Sequence, residues 1–270
     1  MELKIFDVSH GFCAFLVADN GNTMLFDCGH NEVTGFRPSI YLPRIGINII
    51  NRLIVQNFDQ DHVSDLHNIR QVLSIGVFHR NRTLAPEVLA ALKRQSGPIT
   101  TAMQATIDLH TDYIHPVTIP PVFPGIEMVQ FNNTYPFFTD TNNLSLVSFV
   151  HYDGMGIALT GDMEKAGWQE LLKNPDFCAH LRRVNIFVAS HHGRESGYCE
   201  EVFRYCNPDI IIISDRNKIY ETQEMDYARH ARGVTWNGGP DKRYVLTTRC
   251  DGMITISKNT GAGYFVRTAC

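Results

Sequence analysis

The sequence predicts an α+β fold in which two β-sheets pack back to back with helices on their outer faces. Three observations point there. The first half of the chain is rich in short strands joined by hairpin turns. Helical segments fall among the strands in both halves, so both outer faces need cover. No internal repeat and no obvious linker divides the 270 residues. A chain of this length can bury one large core or two small ones. Without a linker, the expected organisation is a single domain over residues 1–270.

Leu3 to Val8, Phe12 to Ala18 and Thr23 to Phe26 read as strands. The last two are joined by Asp19-Asn20-Gly21-Asn22, in which Asn-Gly is a strong hairpin signal. Asp7 and Asp27 end apolar runs, either as turn-forming residues or as residues facing a shared cleft. Pro38, Ile40, Leu42 and Ile45 suggest a short helix. Arg52 to Gln56 reads as a strand, and from Val63 onward Leu66, Ile69 and Leu73 carry the 3,4 spacing of a helix. Gly76 to Phe78 is strand-like, and Ala85 to Lys93 is helical with Pro86 in its first turn.

Prolines 98, 116, 120, 121 and 124 interrupt the stretch from Gly97 to Pro124, which is therefore expected to be an irregular flap. Its His110 and His115 are expected to be surface or loop residues. Ile126 to Phe131 resumes as a strand, and Leu144 to Tyr152 pairs with Gly156 to Leu159 through Asp153-Gly154. That hairpin runs into Thr160-Gly161-Asp162, then a helix from Glu164 to Leu172. A buried strand, Ile186 to Ala189, runs into Ser190-His191-His192-Gly193. A helix, a strand (Ile210 to Ile213), a helix (Glu224 to His230) and two strands (Tyr244 to Thr247, Met253 to Ser257) complete the chain.

Composition is that of an ordinary globular protein, at 44% hydrophobic and 19% charged residues. The formal charge of −4 provides no broad basic field, so contact with nucleic acid would have to be local. Met1 is followed at once by a strand-like segment, and no run approaches the roughly 18 apolar residues of a membrane span. A cytoplasmic protein without a membrane partner is the simplest expectation. The seven cysteines (13, 28, 178, 199, 206, 250 and 270) lack paired zinc-ribbon spacing and are expected to be reduced, mostly as small buried residues.

The chemically informative stretch is Asn57-Phe58-Asp59-Gln60-Asp61-His62, a strand-to-helix loop. Two carboxylates and an imidazole this close repel and lose solvation unless a cation joins them. Asp/His mixtures suit Zn, Mn or Fe. Taken alone, the stretch is equally well a polar turn in which Asp61 caps the following helix. Two further strand ends decide between these readings. Asp162 follows one, and His191 and His192 follow another, so acidic and imidazole groups from three strand ends converge on one edge of a sandwich.

In these segments the chain resembles the metallo-β-lactamase superfamily, and within it the ComEC-type hydrolase domains. Phe6-Asp7-Val8-Ser9-His10-Gly11 is similar to that group's Asp-Val-Gly-Gln-Gly opening, and Leu25 to Gly29 to its Ile-Asp-Thr-Gly turn. Asn57 to His62 resembles its His-x-Asp-x-Asp-His loop except at the first position. Asn142 to Ser145, Leu159 to Asp162, Ser190 to Gly193 and Thr248 to Ile254 resemble its Asn-Asn-x-Ser, Leu-Thr-Gly-Asp, Pro-His-His-Gly and Asp-Gly-x-Ile segments.

The resemblance implies a four-layer αββα sandwich and one or two divalent ions, Zn or Mn, per chain. One position would use Asp61, His62 and His191, with Asp162 bridging. His191 is preferred to His192 because it comes first off its strand. The neighbouring position would draw on Asn57, Asp59 and Asp162, with Asn142 or Asn143 nearby. Asn57 departs from the pattern, since a carboxamide is a weak neutral donor, so that position should be weak, or selective for harder ions such as Mn over Zn. Asp59 or Asp162 would orient an activated water, and Arg194 and Arg37 are candidates for gripping phosphate. The expected activity is hydrolysis of a phosphodiester, in a small molecule or a nucleic acid. The alternatives are hydrolysis of a small ester, thioester or lactam, and a decayed metal-binding module.

Overall fold

The computed structural model describes residues 1–115, 117–216, 222–236 and 240–269. Cys270 and Pro116 lie outside the described residues. One sheet has seven strands: β1 (Glu2–Ile5), β2 (Ala14–Val17), β3 (Thr23–Phe26), β4 (Ile49–Ile54), β5 (Ser74–His79), β14 (Ile254–Lys258) and β15 (Tyr264–Thr268). Their order is β15-β14-β1-β2-β3-β4-β5. The other has six: β6 (Ile126–Asn132), β7 (Leu146–Tyr152), β8 (Met155–Leu159), β9 (Ile186–Val188), β10 (Ile210–Ile213) and β13 (Val245–Thr247), in the order β13-β10-β9-β8-β7-β6. A two-stranded ribbon, β11 (Val234–Thr235) with β12 (Lys242–Arg243), stands apart.

The period-2 alternation of apolar residues builds the layers. Leu3, Ile5, Leu16 and Phe26 of the first sheet share a core with Val150, Ile157, Leu159, Ile186 and Ile212 of the second. Their neighbours Phe15, Leu25 and Leu53 face outward, against α1 (Pro38–Arg44), α3 (Leu66–Val72), α4 (Pro86–Ser96) and α5 (Thr101–Asp112) through Leu42, Leu66, Ile69, Leu89, Met103 and Leu109. On the far side, Phe149, Phe187 and Ile211 pack on α6 (Lys165–Leu171) and α7 (Pro175–Leu181) through Trp168, Phe177 and Leu181. This is the αββα sandwich.

The sequence reading needs correcting in several places. The Gly97–Pro124 stretch contains α5, twelve residues with Thr100 Oγ1 accepting a capping bond from Met103 N at 3.1 Å. The prolines all lie outside it, and His110 is buried in its last turn. His115 is exposed. The single helix expected from Val63 is two, α2 (Gln60–Val63) and α3, while the helix expected after Gly193 is a pair of 3₁₀ turns, Glu195–Gly197 and Glu200–Arg204. α7 and β15 were not anticipated. Among the described residues there are two further short helices, α8 (Glu224–Ala228) and α9 (Thr248–Asp251). Cys13, Cys28, Cys178, Cys199 and Cys206 are buried free thiols, and Cys250 is an exposed one. No described helix is long and apolar enough to cross a membrane.

What matters for the site is strand direction. β3, β4 and β5 run parallel, as do β8, β9, β10 and β13. The segments that follow β3, β4, β8, β9 and β10 therefore emerge at one edge of the sandwich.

Candidate metal centre

At that edge Asp61, His62, Asp162 and His192 each offer a ligand atom, and these atoms lie within 4.8 Å of one another. Asp61 and His62 sit in α2, just past β4. The capping reading of this turn does not hold: the N-cap residue is Asp59, and its side chain makes no capping bond. Gly11 and Gly29 let neighbouring loops press onto α2. A Cβ would fall 2.3 Å from the Asp61 carbonyl oxygen at the first and 2.5 Å from it at the second.

Asp162 follows β8, its backbone N–H donating to Ser145 Oγ at 3.1 Å. His191 and His192 both adopt left-handed backbone conformations, with φ of 49° and 56°, and Gly193 continues the turn at 73°. Non-glycine residues held there are strained, and such strain gathers at functional sites. The tight turn aims successive imidazoles in different directions.

Tautomers supply a test of fit to a metal ion. His62 Nδ1 faces Asp27 Oδ2 at 2.7 Å and His192 Nδ1 faces the Ser214 carbonyl oxygen at 2.9 Å. Neither partner can donate, so both Nδ1 atoms carry the hydrogen. Both Nε2 atoms then point inward at carboxylate oxygens: His62 to Asp162 Oδ1 at 2.9 Å, His192 to Asp61 Oδ2 at 3.1 Å. A lone pair against a carboxylate oxygen repels, so each of these contacts requires either a second proton on the imidazole or a cation between the two atoms. Oriented imidazoles backed by a carboxylate or carbonyl are the usual support of metal ligands.

The electrostatics say the same. Burial opposes charge on His62, yet Asp162 and Asp27 outweigh it and hold the imidazole charged well above its ordinary range. His192 is likewise pushed up to about 9 by Asp162 and Asp61 against burial. Asp61 and Asp162 are held below the usual carboxylate range by the two imidazoles, again against burial. The two carboxylates thus draw positive charge onto the imidazoles as protons, which a bound cation would replace. A small cavity of about 10 Å³ lies against His62, Asp162 and His192, walled also by Phe12, Val188 and Ala189, and Asp61 does not line it. These residues fit a divalent ion.

The other expected residues fall around this cluster. His191, preferred from the sequence, is turned aside: its Nε2 accepts from Arg194 at 2.9 Å, its Nδ1 faces Ser196 Oγ at 2.9 Å and Glu164 at 3.2 Å, and it comes no nearer than 4.0 Å to Asp162. The geometry puts His192 in the place expected of His191. Asp59 is ion-paired with Lys93 and accepts from Thr141 Oγ1 at 2.9 Å. Asn57 donates to Asn142 Oδ1 at 3.0 Å, while buried Asn143 supports the start of α6 through Gly167 N at 2.7 Å. Arg37 is engaged with buried Asp65 at 3.2 Å. Arg194 bridges His191 and His10, each at 2.9 Å.

Several site residues escaped the sequence reading. Asp27, read as a turn residue or a cleft residue, is wholly buried behind His62. Its signal was an acid ending an apolar strand. His10 lies 3.3 Å from Asp61 Oδ2, and burial together with His192 pushes it down to about 4. It opens, with His30, Gln60, Asp61, Ser64 and Arg216, onto a cleft of about 410 Å³. A larger cleft of about 620 Å³, lined by Glu127, Tyr152, Asp153 and Arg183, lies at the opposite end by the β7–β8 turn, where Arg183 is paired with Glu127 at 2.7 Å.

The profile of the metallo-beta-lactamase superfamily matches residues 10–198. ComE operon protein 3 of Bacillus subtilis (strain 168) is 27% identical over 178 residues, which is 64% of this chain and 21% of that protein, so the chain spans about a fifth of the relative's length. Among solved structures, a diphosphatase of the PhnP family is similar at 11% identity, with 96% of this chain and 98% of that chain covered and a TM-score of 0.48. Human tRNase Z, short form, is similar at 11% identity, with 82% and 95% covered and a TM-score of 0.40. With the profile covering well over half of its length, the chain belongs to the metallo-β-lactamase superfamily, and its broad functional class is that of a metal-dependent hydrolase.

Proposed function

We propose that the chain hydrolyses phosphodiester bonds at a divalent-metal centre held by Asp61, His62, Asp162 and His192. The observation that carries this reading is the convergence of those four donors, with both Nε2 atoms oriented inward, beside a cleft that holds His10 and Arg216. A divalent ion bound there supplies Lewis acidity, making water a nucleophile near neutral pH and steadying phosphoryl oxygens.

The chain's own residues divide the remaining work. Asp162, with 4% of its side chain exposed, anchors the centre, whereas Asp61, at 22%, faces the cleft and can orient a water toward substrate. The water-orienting role expected of Asp59 passes to Asp61, because Asp59 is tied to Lys93. Asp27 and the Ser214 carbonyl fix the two imidazoles, keeping Nε2 available. Arg194 and Arg216 place positive charge near the cluster, the chemistry that recognises phosphate. The segments resembling ComEC-type domains support the same substrate class.

The test is a panel under Mn and Zn: single-stranded DNA, RNA, bis-(4-nitrophenyl) phosphate, a cyclic nucleotide, nitrocefin and a glutathione thioester. Metal-dependent cleavage of phosphodiesters is expected, and Asp162→Asn should lower it by about 100-fold or more with the fold retained. Turnover of the lactam or thioester alone would overturn the reading.

A further inference from the structure

Resting on the reading that the Asp61 cluster holds an ion, we propose that the centre takes one divalent ion per chain, and that the ammonium of Lys93 permanently replaces a second. The residues expected to form the neighbouring position do not fit an ion. Asn57 has both ends of its carboxamide in use: Oδ1 accepts from Asp59 N at 2.7 Å, and Nδ2 donates to Asn142 Oδ1 at 3.0 Å and Ser145 Oγ at 3.2 Å. Asn142 has given its oxygen to Asn57, and its Nδ2 donates to Glu164 at 3.2 Å. Each amide oxygen thus already accepts a hydrogen bond from within the loop cluster.

The remaining acid is already matched with a cation. Lys93 reaches across from α4 to pair with Asp59, and its Nζ also donates to Thr141 Oγ1 at 3.0 Å. Thr141 Oγ1 in turn donates to the same Asp59 oxygen at 2.9 Å, closing a three-membered ring of contacts. The lysine side chain is only 12% exposed, so this is a held group and not a solvated surface pair. A dication brought beside the ammonium would be repelled by it, and would have to displace it from Asp59. Among the described residues, the only group of three or more His, Cys, Asp or Glu donors close enough to hold an ion is the Asp61 cluster.

A covalently tethered cation differs from a metal in one testable way: chelators cannot remove it and excess metal cannot add to it. Protein stripped with chelator and reloaded with excess Zn or Mn is examined by native mass spectrometry and elemental analysis, with circular dichroism to confirm folding. Wild type and Lys93→Arg should each hold one ion per chain. Asn57→His combined with Lys93→Met, which restores an imidazole and removes the ammonium, should hold two. Two ions in wild type would overturn the inference while leaving the proposed function standing, and this count decides the matter even if the double variant fails to fold. A folded double variant that stays at one ion would overturn the role of Lys93. No ion in wild type would remove both readings together.

Discussion

The two adjacent histidines after β9 show how one residue step separates a member of the donor cluster from a residue turned away from it. Both leave the strand in left-handed conformations, yet His192 Nε2 points at Asp61 while His191 Nε2 accepts from Arg194. His192→Ala should therefore weaken Zn or Mn binding by more than about 100-fold, and His191→Ala by less than about tenfold, as read by competition with a chromophoric chelator. Equal losses would mean that the backbone turn, and not the imidazole, is what matters. The sequence disclosed the residue types of this site but not their aim. Asp61, His62, Asp162 and the histidine pair stood out because each ends a strand. The choice within the pair depends on a positive-φ turn that the string of letters does not reveal. Lys93 was invisible for a different reason: a lysine on a helix is ordinarily a solvated face, and only the approach of α4 to the α2 loop gives this one a partner.

At the scale of elements, α5 is the instructive miss. Prolines on either side of it suggested an irregular flap, but they flank a capped twelve-residue helix that packs on the first sheet through Met103 and Leu109. Its His110 lies between Phe58 and Phe78, with ring centroids 5.2 and 5.5 Å away and a buried Nε2 that has no hydrogen-bond partner. Burial, with a smaller contribution from Arg80, pushes it down to about 3. An unfolded histidine protonates near about 6.5. Between those values the unfolded chain binds a proton that the native chain does not, so stability falls as pH drops from about 6.5 toward about 3, by at most about 1.4 kcal/mol per pH unit. His110→Phe should lose less melting temperature than wild type between pH 7.5 and pH 5. Parallel losses in the two proteins would show that His110 does not carry this linkage. The strands were legible where the helix was not, because alternation in Leu3, Ile5, Leu16 and Phe26 directly marks which face meets the second sheet.

The whole molecule constrains how a polymer could be held. With 24 Lys and Arg against 28 Asp and Glu, the chain has a formal charge of −4, so its net charge supplies no long-range attraction for nucleic acid. Apart from Lys93, which is tied to Asp59, positive charge near the centre comes from Arg194, which bridges two histidines of the site, and Arg216, which lines the 410 Å³ cleft. The layered fold concentrates function in the same way. Parallel strands from both sheets deliver their loops to one edge, and the opposite edge carries a larger cleft with none of the four clustered donors. A single-stranded substrate would thus be gripped over a short length, by about two to four phosphates. The slope of log K against log salt should then lie between about −1.4 and −2.8, against about −4 or steeper for a binder that neutralises six or more. Fluorescence anisotropy with labelled oligonucleotides across a salt series, in an Asp162→Asn background whose cleavage is slowed, measures it. A slope of about −4 would place a basic track elsewhere on the molecule and separate polymer binding from this edge.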